Sequence, residues 1–114
     1  MTIKEIAKLL NARLLTEGSD VEKEVHSACG SDMMSDVLAY VKDQSVLVTG
    51  LNSPQVVRTA DMMDMICIVF VRGKEPSAEV IALATEREIA VLCTEMPMFP
   101  TCGLLYENGL RGAQ

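Results

Sequence analysis

Three short apolar runs, each followed by a polar turn and an amphipathic stretch, constrain this chain more than any other feature. They are SVLVT (45–49), ICIVFV (66–71) and IAVLC (89–93), and they end in TGLNSP, RGKEPS and TEMPMFP. A strand that is apolar at every position must be covered on both faces. A parallel sheet between helices provides that cover; a half-solvated antiparallel sheet does not. The stretches between the runs supply the helices. Right-handed crossovers then give an α/β fold, a three-layer α/β/α sandwich around a mainly parallel sheet of four or five strands. ICIVFV, the strongest strand signal, is expected at its centre.

The flanking segments complete the expected architecture. Thr2 and Glu5 form a capping box before a helix whose Ile3, Ile6, Ala7 and Leu10 share one face, and Asn11 ends it. ARLLT (12–16) and VHSAC (25–29) read as short strands on either side of the polar loop EGSDVEKE. Gly30 and Ser31 turn the chain into a helix with Asp32 as N-cap or first-turn acid. Its apolar stripe is Met33, Met34, Val37, Leu38 and Val41, with Asp36, Lys42 and Asp43 elsewhere. Ser53 is expected to cap the next helix, with Pro54 in its first turn and Val56, Val57, Ala60 and Met63 facing inward. Pro76 or Ser77 opens another, with Val80, Ile81 and Ala84 inside. MPMFP reads as an interruption before a short helix carrying Leu104, Leu105 and Tyr106, which closes before Gly109. Residues 1–110 then form one domain, and 111–114 are expected to fray.

Composition removes several function classes. The 114 residues suit a single domain with a real core, since 49% are apolar. A net charge of −6 and scattered basic residues speak against nucleic acid, whose binding needs a basic surface. No apolar run is long enough for a membrane span, and Glu5 breaks the N-terminal apolar pattern, so a cytoplasmic protein is expected. The four cysteines, Cys29, Cys67, Cys93 and Cys102, form no CxxC pair, which excludes zinc-ribbon and thioredoxin readings; Cys67 and Cys93 sit in apolar strands as packing residues. His26 is the one histidine. Walker A, GxGxxG and GxSxG patterns are absent. Asp61 with Asp64, and the run Asp20, Glu22, Lys23 and Glu24, read as solvated charges. The sequence requires no metal or cofactor, and no catalytic residues are assigned.

Ligands of open α/β sheets bind beyond the carboxyl ends of the strands. That rim gathers Cys29, Gly30, Ser31 and Asp32 from the second short strand, Thr49, Gly50, Asn52 and Ser53 from SVLVT, Arg72 and Gly73 from ICIVFV, and Thr94 with Glu95 from IAVLC. Turns that lead into helices offer free N–H groups, Arg72 offers a guanidinium fork, and the glycines allow close approach, so a small anionic or nucleotide-like ligand is expected. The plain alternative is that these are ordinary loop and cap residues. Cys29, placed before a helix N-terminus, is expected to have a lowered thiol pKa, which opens a redox or iron–sulfur reading with Cys102; packing of a small thiol is the alternative.

The stretch FVRGKEPSAEVIALATEREIAVLCTEMPMF resembles the end of the N-terminal domain of HPr kinase/phosphorylase. ARLLTEGSDVEKEVHSACGSDMMSDVLAYVKDQSVLVTG is similar to the DRTGG domain, which shares that fold and its order of motifs up to LVTG. The resemblance covers nearly the whole chain and extends to the N-terminal domains of Mur ligases. It implies a regulatory, oligomerising accessory module and points to Ser31, Asp32 and Met33, to Thr49 and Gly50, and to Arg72 and Gly73. The eponymous Asp-Arg-Thr-Gly-Gly string is absent from this chain, as are the P-loop and catalytic half of the kinase. The expectation is a non-enzymatic domain that senses a small ligand or binds a protein partner as a homodimer, with no role for nucleic acid or membrane. Met33, Met34, Met62 and Met63 are candidates for the dimer contact. The alternatives are a redox or iron–sulfur accessory protein using Cys29 and Cys102, and a small enzyme.

Overall fold

The computed structural model describes residues 1–40 and 44–112. Val41, Lys42 and Asp43 of the expected helix stripe, and residues 113 and 114 of the expected tail, lie outside the described residues. The chain runs α1 (Ile3–Leu9), β1 (Arg13–Leu14), β2 (Ser27–Gly30), α2 (Met34–Tyr40), β3 (Ser45–Thr49), α3 (Pro54–Met62), β4 (Cys67–Phe70), α4 (Ala78–Glu86), β5 (Ala90–Cys93) and α5 (Met98–Glu107). The sheet order is β1-β5-β4-β3-β2. β2 to β5 are parallel neighbours, and β1 joins β5 antiparallel. The sheet is therefore mainly parallel with β4 at its centre, as the apolar runs require.

Alternation along the strands sorts the core into two layers. Leu47, Ile68, Phe70 and Val91 pack with Met34, Val37, Val56, Val57, Ala60, Val80 and Ala84 from α2, α3 and α4. Val46, Val48, Cys67, Val69, Ala90 and Leu92 pack with Ile3, Ile6 and Leu105 from α1 and α5. Three successive right-handed crossovers that step the same way along the sheet place their helices on one face, which is why α2, α3 and α4 share a layer. The strand order never reverses between β2 and β5. There is accordingly no switch point to open a crevice between them, and what lies at the strand ends is a shallow rim.

The capping box of α1 is present, with Thr2 Oγ1 accepting from Glu5 N–H at 3.1 Å and Glu5 Oε1 from Thr2 N–H at 2.8 Å. Ser77 caps α4 through Val80 N–H at 3.3 Å. Several expectations need correction. Ser53 stands at the N-cap of α3, but its side chain makes no cap bond. MPMFP does not interrupt: Pro97 is the N-cap of α5, and Met98, Phe99 and Pro100 form its first turn, where a missing N–H costs nothing. ARLLT supplies only the exposed pair Arg13 and Leu14. Met33 and Leu38 are exposed while Met34 and Val37 are buried, so the stripe of α2 is narrower than expected. Asp61 is paired with Arg87. The Arg111 carbonyl accepts Ala28 N–H at 2.9 Å on the outer edge of β2, and its guanidinium stacks 3.9 Å over the Tyr106 ring.

Four helices end alike. Ala12, Met65, Ile89 and Leu110 N–H donate back to Ala7, Ala60, Ala84 and Leu105 carbonyls at 2.8, 2.8, 2.9 and 3.0 Å. This is the Schellman closure, which needs a left-handed residue just before the returning N–H. Gly109 fills that position at α5, whereas Asn11, Asp64 and Glu88 fill it at α1, α3 and α4 with φ of 50°, 56° and 59°. A side chain in that region costs roughly 1–2 kcal/mol, against less than about 1 kcal/mol of extra chain entropy for glycine. Glu88→Gly is thus expected to stabilise the fold by about 0.5–1 kcal/mol, measured as a rise in denaturant midpoint at unchanged slope.

Candidate functional site

The rim is drawn together by one carboxylate. Asp32 does not cap α2; its Oδ1 accepts Gly50 N–H at 2.7 Å and Thr49 Oγ1–H at 3.0 Å, both at the end of β3. The reason is geometric. Ser31 N–H is bonded to Val48 O at 3.0 Å, which keeps the chain beside β3 for one more residue. Ser31 Oγ then accepts Met33 N–H at 2.9 Å, so the turn into α2 is already satisfied locally. Thr49 Oγ1 accepts Leu51 N–H at 3.1 Å in turn. The Gly50 N–H bond first, then the Thr49 hydroxyl and the nearby Arg72, hold the Asp32 carboxyl below the usual aspartate range against partial desolvation.

Arg72 stands in a left-handed turn. Its φ is +59° and that of Gly73 is +64°. Unlike Asn11, Asp64 and Glu88, Arg72 closes no helix; it stands in the turn after β4. Its N–H donates to Met96 O at 2.9 Å, and Gly73 N–H donates to Thr94 O at 2.8 Å, so the loop after β5 fixes the turn. Gly73 is favoured by its φ, and the Glu95 carboxyl lies where a Cβ would stand. Gly50 has no left-handed φ. Its lack of a side chain matters for space: a Cβ there would lie 2.5 Å from Arg72 Nη2 and 3.6 Å from Asp32 Oδ1.

Asp32, Thr49, Gly50, Arg72 and Gly73 therefore share one patch, with Glu95 beside it. The other residues read from the sequence fare differently. Asn52 is exposed two positions beyond the buried Gly50, and the Ser53 hydroxyl is not used by α3. Thr94 is buried and its hydroxyl donates to Leu10 O at 2.8 Å, so its side chain is committed to the core. Gly30 serves packing, since a Cβ there would stand 2.7 Å from Cys102 Sγ on α5. Cys29 lies five positions before α2 and half-buried against the α2–α4 layer. Burial first, then Asp36 and Cys102, push its thiol up, opposite to the expected lowering. Burial likewise raises Cys102, which packs with Met98. Among the described residues, no group of three or more His, Cys, Asp and Glu is arranged to hold a metal ion, and no helix is long and apolar enough to cross a membrane.

One cavity of about 120 Å³ lies elsewhere, among Gly30, Cys102, Leu105, Tyr106, Leu110 and Arg111, and its floor is apolar. No local sequence pattern announces it, because it forms where the chain after α5 folds back on β2.

Asp32 makes the patch sensitive to acid in a defined direction. Its carboxyl titrates lower in the folded chain than the ordinary value of 3.8. The stability it contributes is complete above that value and is lost as pH falls through the lower folded value. Asp32→Ala is expected to cost about 1 kcal/mol at neutral pH, after discounting an exposed charge-assisted pair of bonds. The difference from the parent should close as the pH drops below the folded-state value, as read by urea unfolding across an acid series.

Comparison with known proteins agrees with this architecture. The family model described as the DRTGG domain matches residues 5–107. No curated protein matches the chain. Among solved structures, the chain is similar to the crystal structure of the CBS and DRTGG domains of the regulatory region of Clostridium perfringens pyrophosphatase complexed with activator, diadenosine tetraphosphate. The TM-score is 0.74 at 18% identity, covering 91% of this chain and 45% of that one. The chain thus spans less than half the length of that neighbour, and the likeness is one of fold. With nearly its whole length matched, the chain belongs to the DRTGG domain family.

Proposed function

We propose that this chain is a non-enzymatic regulatory domain that senses a small anionic, nucleotide-like ligand at the strand-end patch and works as a homodimer. The observation that carries the ligand reading is Arg72. Its guanidinium makes no hydrogen bond or ion pair with a described residue, it is exposed, and it lies over Gly50, while its backbone is left-handed with its N–H bonded to Met96 O. An unpaired guanidinium held at a strand-end rim is suited to a phosphate or carboxylate. The regulatory role is supported by family membership and by the similar pyrophosphatase region, which was crystallised with a nucleotide activator. The non-enzymatic reading is supported by family membership, the DRTGG domain being a regulatory module.

The dimer reading rests on apolar side chains left in water on the α2–α4 layer. Met33 is 61% exposed and Met62 is 70% exposed. Light scattering should give twice the 12.4 kDa chain mass, and Met62→Glu should shift it toward one. A chain that is monomeric at every concentration tested would remove the dimer. For the ligand, a thermal-shift series over nucleotides, UDP-sugars and phosphorylated metabolites should find a stabiliser. At 100 times its Kd, a ligand adds about 2.7 kcal/mol. Arg72→Ala should abolish the shift; if no compound shifts the chain at millimolar concentration, ligand sensing fails and a protein-interaction module remains.

A further inference from the structure

The Arg72 guanidinium covers Gly50 with the Asp32 carboxylate beside it, two opposite charges that attract without a direct ion pair. Arg72 Nη2 and Asp32 Oδ1 both approach the position a Gly50 Cβ would occupy, at 2.5 and 3.6 Å. They form no ion pair, since none of the described ion pairs includes either residue. Asp32 cannot swing away freely, because Thr49 Oγ1 and Gly50 N–H both hold its Oδ1. Those two bonds also use up the donors that an anion would otherwise find at the end of β3. Oδ2 takes neither of them.

A bare anion is poorly served by this arrangement. It gains one guanidinium fork, finds the Gly50 N–H already occupied by a carboxylate, and sits beside that carboxylate's charge. Like charges so placed in a recognition site are strongly unfavourable. A ligand that carries hydroxyl or amino donors next to its anion meets both groups at once, with the anion on Arg72 and a donor on Asp32.

The geometry points to a phosphate ester bearing hydroxyl or amino donors beside the phosphate as the class of ligand taken between Arg72 and Asp32, with Arg72 as anchor and Asp32 as the residue that rejects bare inorganic anions. This rests on the ligand-sensing reading above and narrows it. Nucleotides and sugar phosphates share this chemistry.

Calorimetric titration of the full chain with ADP, glucose 1-phosphate and inorganic pyrophosphate separates the possibilities. At least one of the two esters should bind about tenfold or more tightly than pyrophosphate, a ratio that one well-placed charged hydrogen bond supplies. ADP alone would assign the donors to a nucleoside; glucose 1-phosphate alone or both together would assign them to sugar hydroxyls. Asp32→Ala should weaken the ester and leave pyrophosphate equal or tighter. Asp32→Asn, which keeps the shape and an oxygen acceptor for Thr49 and Gly50, guards against a loss due to folding and should fall in the same direction. Gly50→Ala should weaken ester binding by pushing the Arg72 guanidinium off its place over Gly50. Pyrophosphate binding as tightly as the esters, or ester binding that ignores Asp32, would overturn this inference while leaving an anion site at Arg72. If none of the three probes binds, the inference falls, and the wider thermal-shift series decides the sensing role separately.

Discussion

The inner strands β3, β4 and β5 are buried at every position from Ser45 to Thr49, Cys67 to Phe70 and Ala90 to Cys93. Each such strand needs a helix layer above and below, and each crossover must be right-handed. Those two demands fix the rest. They stack α2, α3 and α4 on one face, leave the other to α1 and α5, and turn the carboxyl ends of four parallel strands toward one edge. The patch of Asp32, Thr49, Gly50, Arg72 and Gly73 exists because residues distant in sequence have no other place to emerge.

What was legible in the sequence follows the same division. SVLVT matches β3 residue for residue, and the other two runs differ from β4 and β5 only at their ends, because uninterrupted apolar runs leave few alternatives. The short strands are less legible. β1 is two exposed residues whose pairing with β5 depends on a partner far along the chain, and no local pattern announces that. The prolines of MPMFP look like breakers, yet at the start of a helix the same rings are tolerated.

The patch was legible in outline and not in detail. Strand endings can be counted from sequence, so Arg72 and Thr49 were within reach. Which endings are consumed by the protein itself cannot be counted in that way. Thr94 looks like Thr49 on paper, yet one hydroxyl is spent inside on Leu10 and the other organises Asp32 and Leu51. Asp32 looks like a helix cap because it precedes a helix, and it is instead held by groups 17 and 18 positions away. Gly30, Gly50 and Gly73 are likewise three glycines with three distinct reasons: a neighbouring sulfur, a guanidinium, and a φ that side chains resist.

The fold-back of Arg111 onto β2 bears on how such a molecule can and cannot meet its neighbours. A parallel sheet recruits strangers through bare flanks. Here one flank is only Arg13 and Leu14 long, and on the other the Ala28 amide is already answered from within the same chain. Any lateral growth of the sheet from copy to copy would first have to peel that closing segment away. Contacts through the helical shells carry no such toll, so fibrous stacking is handicapped while discrete assemblies stay accessible.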